Sequence, residues 1–178
     1  MPHIHSRLVR VPKRHSEDKN NCLVVALHTL LAPLHPAFSY AAVHRLLAAA
    51  GREKNKRFCI KKAVLALREH TLLRLSQLSI PGTWISTRTF ARLHPSGRFL
   101  IRTGGHAMAC INGVFYDTQN VGDRLQVTHG WKVPEPIPEE LQQTIVLRMA
   151  SIAQIARERA EPLQFPAQRQ HPGTLVAR

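Results

Sequence analysis

Residues 105–118 read Gly-His-Ala-Met-Ala-Cys-Ile-Asn-Gly-Val-Phe-Tyr-Asp-Thr, and they carry the clearest structural signal in the second half of the chain. Two short, largely apolar runs flank Asn112-Gly113, the dipeptide that most strongly favours a two-residue type I′ turn. The stretch therefore predicts a β-hairpin in which Ile111 faces Val114.

The predicted hairpin brings two polar side chains together. His106 and Asp117 project from the same face as diagonal neighbours, about 7–8 Å apart by backbone, and Gln119 lies opposite His106. A carboxylate or amide that orients one imidazole nitrogen leaves the other nitrogen free to activate a thiol. His106 and Asp117 are thus candidate catalytic residues, with Gln119 as the alternative orienting residue. In the alternative interpretation, His106 only ends an edge strand and Asp117 caps a turn with Thr118.

Upstream of the hairpin, apolar residues recur at intervals of three and four, which is typical of amphipathic helices. Pro33 ends the first of these helices, and Ser39 and Gly51 are placed to cap the second at its two ends. The predicted helices cover residues 22–32, 40–50, 60–70, 87–93 and 139–159, and the predicted strands cover 98–103, 106–111, 114–117 and 125–128. Helices followed by a small antiparallel sheet, with one more helix at the C-terminal side, predict an α+β fold.

The length of 178 residues fits one domain of ordinary size. We expect a basic N-terminal arm over residues 1–19, the main domain over 20–133, a C-terminal helix over 134–160 and a flexible tail over 161–178. The tail is predicted from its proline content and its few apolar residues.

Cys22 lies at the first turn of the first predicted helix. Unpaired backbone N–H groups and the helix dipole favour negative charge there, so the thiol loses its proton more readily. The backbone N–H of Cys22, together with Asn20 or Asn21, could stabilise an oxyanion. In the alternative interpretation, Cys22 is a small apolar residue at a helix start. Cys59 and Cys110 have apolar neighbours and are predicted to be buried packing residues.

Three motifs together resemble the papain-like cysteine peptidase superfamily. They are Asn-Asn-Cys22 opening an Ala/Leu-rich helix, Gly105-His106-Ala-Met-Ala, and Gly-Val-Phe-Tyr-Asp117-Thr. The likeness spans about residues 18–120 and is greatest to small bacteriophage-type members, and more distant to bacteriocin-processing peptidases.

This resemblance implies a papain-like fold in which Cys22 begins the central helix, His106 starts a sheet strand and Asp117 on the next strand orients it. It implies a peptidase or amidase encoded by a phage or mobile element, with a peptide or protein substrate. The superfamily's oxyanion glutamine precedes the cysteine, whereas no Gln occurs here before Gln77. Asn20 or Asn21 would have to take that role.

The charge points to a second class of function. The chain has 25 Lys and Arg residues against 11 Asp and Glu, a net charge of +14 that favours polyanionic partners. The candidate nucleic-acid contacts surround a predicted loop and are Arg52, Lys54, Lys56, Arg57, Lys61 and Lys62. The alternative hypothesis is therefore a non-catalytic structural or virion-associated protein that contacts nucleic acid or another subunit. A merely solvated basic surface explains the same charge.

Other classes of site have little support. The three cysteines form no C-x-x-C pair and the histidines no H-E-x-x-H motif, so we predict neither a metal site nor a cofactor. No apolar stretch approaches the roughly 20 residues of a membrane span, and the N-terminus lacks the apolar core of a secretory signal. We expect no membrane partner, and a location in the bacterial host cytoplasm or in the virion.

Overall fold

The computed structural model describes residues 8–10, 18–118 and 125–160. The α-helices of this part are α1 (Cys22–Leu31), α2 (Tyr40–Ala49), α3 (Ile60–Thr71), α4 (Thr87–Leu93) and α5 (Glu139–Ala160). The strands are β1 (Leu8–Arg10), β2 (Ser76–Gln77), β3 (Ile85–Ser86), β4 (Arg98–Thr103), β5 (His106–Ile111), β6 (Val114–Asp117) and β7 (Gln126–Val133). The predicted α+β class is confirmed. Gln119, the predicted tail and much of the predicted arm lie outside the described residues.

The predicted helix caps form at α2 and α4. Ser39 Oγ accepts a hydrogen bond from the backbone N–H of Ala42 at 3.3 Å, and Gly51 after the helix has a φ of +90°. Ser86 Oγ accepts from the backbone N–H of Thr89 at 3.1 Å in the same way. These caps place the ends of α2 and α4 close to where the sequence predicts them.

The hairpin of β5 and β6 has the predicted register. Ile111 pairs with Val114, and the two turn residues Asn112 and Gly113 have φ values of 50° and 74°. Positive φ at both central residues is the requirement of a type I′ turn. This turn fixes which face of the sheet each side chain of the hairpin occupies.

The sheet itself is larger and more varied than predicted. Its strand order is β1-β6-β5-β4-β7-β2 with β3 also on β7, and β1 runs parallel to β6. The predicted antiparallel pairing is found for β2 to β7, and the parallel pairing of β1 departs from the prediction of a small antiparallel sheet. The added strands are two or three residues long, too short to show a periodic pattern, and β1 comes from the segment predicted to be an arm.

Helices pack on both faces of the sheet: α1, α2, α3 and α5 share one core, and α4 packs Phe90 against Phe99 and Phe115 on the other face. α1 packs against β5, where Ala107 and Ala109 are buried and short enough to let the helix backbone approach the strand. α5 packs on α2 and α3 and contributes Ile145 and Met149 to the same core. The predicted C-terminal helix thus belongs to the main domain. None of the helices in the described ranges combines the length and apolarity needed to cross a membrane.

A buried ion pair holds the segment that leads into α1. Arg52 Nη2 donates to Asp18 Oδ2 at 2.5 Å and to the carbonyl of Asn20 at 3.1 Å. Asp18 Oδ1 also accepts from the backbone N–H of Asn55 at 3.1 Å. The Arg52 side chain has no exposed surface. The prediction that Arg52 contacts nucleic acid is therefore wrong, because its guanidinium is enclosed with Asp18.

We predict that Asp18→Asn destabilises the fold by about 3–5 kcal/mol at pH 7, because it leaves the Arg52 charge buried without its partner. Burial opposes ionisation of Asp18, but its hydrogen bonds to Arg52, Asn55 and Asn20 outweigh burial and hold its pKa below 3.8. A lowered carboxyl pKa gives stability that is present above the unfolded pKa of about 3.9 and is lost as the pH falls through the folded pKa.

Urea unfolding of wild type and Asp18→Asn at pH 7 and at pH 3 measures this effect, and the difference in unfolding free energy should shrink at the lower pH. Glu53→Gln is the matched control, because Glu53 pairs with Lys56 at 2.6 Å on the exposed surface, where such a pair contributes less than about 1 kcal/mol. Equal costs for the two variants at pH 7 would contradict the prediction.

Candidate active site

Cys22 is the first residue of α1 and is partly exposed. The first hydrogen bond of this helix runs from the Val25 N–H to the Asn21 carbonyl at 3.0 Å, and the Asn21 side chain does not cap the helix. The N–H groups of the first turn therefore surround the thiol without partners in the helix, a position that favours negative charge.

His106 and Asp117 are hydrogen-bonded to each other. His106 Nε2 donates to Asp117 Oδ1 at 2.6 Å, with the Asp117 side chain 1% exposed and that of His106 18% exposed. The same imidazole interacts with the Cys22 thiol and lowers its pKa, and both side chains border one cavity. Because Nε2 faces Asp117, Nδ1 is the nitrogen left for the thiol. The structure thus brings the three predicted catalytic residues, from α1, β5 and β6, together in one site.

The ionisation of this site favours a thiolate beside an imidazolium. Burial opposes ionisation of Cys22, but the hydrogen bond from His106 and the N–H groups of Ala107 and Leu23 outweigh it and lower the pKa of the thiol. Burial likewise opposes the charged form of His106, yet its hydrogen bonds to Asp117 and Cys22 raise the pKa of the imidazole to about 9. Opposite shifts of this kind are expected when one proton is transferred from a thiol to a base.

The two carboxylate oxygens of Asp117 have different surroundings. Its Oδ2 is buried and has no hydrogen-bond partner among the described residues. A buried carboxylate oxygen of this kind is costly unless the nearby charge compensates it, and the imidazolium of His106 does so. The carboxylate of Asp117 occupies the orienting position for which Gln119 was the predicted alternative.

The two oxyanion candidates differ in position. Asn20 borders the cavity beside Cys22, but its side-chain amide donates to the Asn55 carbonyl at 2.5 Å. Asn21 is buried, and its amide donates to the Tyr40 hydroxyl at 3.4 Å. Asn21 does not border the cavity, and the backbone N–H groups that act on the thiol are those of Ala107 on β5 and Leu23 on α1.

A cavity of about 290 Å³ opens beside Cys22 and His106, and a second thiol borders it. Cys59 lies just before the first residue of α3 and is exposed, so its predicted burial is wrong. The backbone N–H of Lys62 at the helix start lowers its pKa. The apolar neighbours of Cys59 suggested a core position, whereas a residue preceding a helix commonly faces solvent. Cys110 is buried as predicted, and burial raises its pKa to about 12.

Most of the predicted nucleic-acid contacts are exposed on the loop before α3 and on its first turn. These residues are Lys54, Lys56, Arg57, Lys61 and Lys62. Arg57 also borders the cavity beside Cys22, as does Arg102 at the end of β4. Sequence reasoning missed Arg102 as a site residue, although its place just before the Gly104-Gly105 turn and His106 was the signal that could have found it.

We predict that His106 titrates near pH 9 in the wild-type protein and at lower pH in Cys22→Ala. Removing the thiolate removes one of the two hydrogen bonds that raise the pKa of the imidazole, while the one to Asp117 remains. NMR titration of the histidine ring protons measures both values. An identical His106 pKa in the two proteins would show that no ion pair exists.

Among the described residues, no group of three or more His, Cys, Asp or Glu side chains is placed to hold a metal ion. A scan against models of protein families finds no match, and searches of curated proteins and of solved structures find no significant relative.

Proposed function

We propose that this protein is a small papain-like cysteine hydrolase, a peptidase or amidase, whose catalytic residues are Cys22, His106 and Asp117. The observation that carries the proposal is a thiol at a helix N-terminus that shares a cavity with an imidazole, which is hydrogen-bonded in turn to a buried carboxylate. A thiolate, a proton donor and an orienting group in that order are the parts that nucleophilic acyl transfer needs.

In the proposed reaction, the Cys22 thiolate attacks the substrate carbonyl carbon and forms a C–S bond. The carbonyl electron pair moves to oxygen, and the N–H groups at the start of α1 face the resulting oxyanion. The intermediate collapses to a thioester as the amine leaves with a proton from the His106 imidazolium. Neutral His106 then removes a proton from water, which attacks the thioester, releases the carboxylic acid and restores the ion pair. Asp117 holds the imidazole in position throughout.

The test is the rate at which iodoacetamide alkylates Cys22 as a function of pH, read for each cysteine by mass spectrometry. At pH 6.5 an ordinary thiol of pKa about 8.5 is only about 1% ionised, so a preformed thiolate reacts up to about 100-fold faster. We expect fast reaction of Cys22 in wild type and loss of most of this advantage in His106→Ala. Cys59 should keep its own pH profile in both proteins.

His70→Ala is the matched control, because this histidine on α3 does not border the cavity. Reaction of Cys22 only near pH 8.5 in the wild-type protein would overturn the proposal. For any substrate that is found, Cys22→Ala should abolish hydrolysis, and the rate should fall above about pH 9 as the imidazolium that protonates the leaving amine is lost.

The exposed basic residues support a second candidate function, a non-catalytic contact with nucleic acid or a neighbouring virion subunit. Lys61 and Lys62 are adjacent on the first turn of α3, and both are exposed. Neither forms an ion pair within the described residues, so both amines are available to phosphates.

This candidate predicts binding to single- or double-stranded DNA that weakens steeply as the salt concentration rises. Each phosphate contact removed should reduce the slope of log K against log[salt] by about 1, so Lys61→Gln/Lys62→Gln should reduce it by about 2. Fluorescence anisotropy at four salt concentrations measures the slopes. Binding that is absent, or that ignores salt, would exclude the contact with nucleic acid.

A further inference from the structure

The lining of the cavity beside Cys22 combines apolar and cationic residues. Leu23, Phe58 and Ile60 are its apolar wall residues, and the two cationic residues are Arg57 and Arg102. The volume of about 290 Å³ lies at the lower end of the range for small-ligand sites and suits one or two amino-acid side chains. The combination of an apolar wall and fixed cations is suited to a short aliphatic stem that ends in an anion.

The two arginines are held at the same edge of the cavity. Arg102 Nε donates to the Gly104 carbonyl at 2.8 Å, which fixes its guanidinium while its terminal nitrogens have no acceptor among the described residues. Arg57 lies beside the next residue, because a Cβ placed on Gly105 would be 3.4 Å from its Nη1. Gly105 directly precedes His106, so both cations flank the reacting groups.

No carboxylate of the described chain neutralises these two cations. Neither Arg57 nor Arg102 takes part in an ion pair there, and no acidic side chain borders the cavity. The nearby acidic residues are already engaged, since Asp18 pairs with Arg52, Glu53 with Lys56 and Asp117 with His106. An anion that enters the cavity therefore meets donors that are unused in the free protein.

The positive charges at this edge of the cavity also lower the pKa values of neighbouring groups. Desolvation and then the charges of Arg102 and Lys61 lower the pKa of His129. At Cys59, the main influence is the backbone N–H of Lys62, and the Arg102 charge acts in the same direction to lower the pKa of the thiol. Two groups on different elements thus respond to the same cation, as expected for a charge without a local counterion.

We propose that this cavity is a subsite for a carboxylate, so that the protein prefers peptide substrates with a carboxylate next to the scissile bond. This inference rests on the proposed hydrolase function and specifies its substrate class. Guanidinium groups bind carboxylates through paired, charge-assisted hydrogen bonds, which give both affinity and orientation. The carboxylate comes either from an acidic side chain or from the end of the substrate chain.

The first arm of the test compares iodoacetate with iodoacetamide, two reagents of similar size of which only the former is anionic. The rate ratio at Cys22, divided by the ratio for N-acetylcysteine, measures the preference for an anion. A Cys59→Ala background removes the second thiol of the cavity. We expect Cys22 to prefer iodoacetate by at least about tenfold, because one charge-assisted hydrogen bond contributes about that much. This preference should be lost in Arg57→Gln/Arg102→Gln.

Arg68→Gln/Arg74→Gln is the matched control, because it removes the same charge from arginines that do not border this cavity. An equal loss of preference in both double variants would mean that only the overall charge matters, and it would overturn the subsite. Failure of the proposed hydrolase is recognised separately, by slow alkylation with neutral iodoacetamide at pH 6.5. In that case, the rate ratio of the two reagents is still measurable above pH 9, where an ordinary thiol is mostly ionised.

The second arm identifies the source of the carboxylate by protection of Cys22 from iodoacetamide. N-acetylisoglutamine carries only the side-chain carboxylate, N-acetylglutamine only the terminal one, and N-acetylglutaminamide neither. Protection by one or both acids and not by the neutral amide supports the subsite and names its ligand. Equal protection by all three compounds, or protection only by an oligonucleotide, would overturn it.

Discussion

The register of the β5–β6 hairpin is the constraint on which the site depends. Strand side chains alternate between faces, so a slip of one residue would place His106 and Asp117 on opposite sides of the sheet. The left-handed backbone of Asn112 and Gly113 excludes that slip, because the two-residue turn fixes Ile111 opposite Val114. The short distance between the imidazole and the carboxylate is thus encoded several residues away, in the turn.

The packing of α1 and one buried ion pair bring the thiol and the cavity arginine to this hairpin. Small side chains on β5 allow α1 to lie close to the strand, and this places the N-terminus of the helix at the level of His106. The pair formed by Asp18 and Arg52 ties the loop after α2 to the segment that precedes Cys22. The same loop leads on to Arg57, so one arrangement positions both the thiol and a cation of the cavity.

The elements with strong local signals could be predicted from the sequence. The capped helices, the Asn-Gly turn and the helix-start position of Cys22 follow from residue types at fixed spacings. The burial of Arg52 and the exposure of Cys59 could not be predicted, because each depends on which distant segment lies beside it, whereas the place of Arg102 just before the turn that leads to His106 was a usable signal. The parallel pairing of β1 could not be predicted either, because a strand of three residues is too short to show alternating hydrophobicity and long-range pairing has no local sequence signal.

The three cysteines occupy three different environments, and this has a practical consequence for spectroscopy. Cys110 is fully enclosed in the sheet and its thiol stays protonated, so it does not take up a label. Cys59 alone competes with Cys22 for solvent-borne reagents. Replacing this single residue leaves one addressable position in the whole chain, at the mouth of the cavity. A fluorophore attached there would lie in the cavity itself and report on the polarity of the cleft, without any substrate being known.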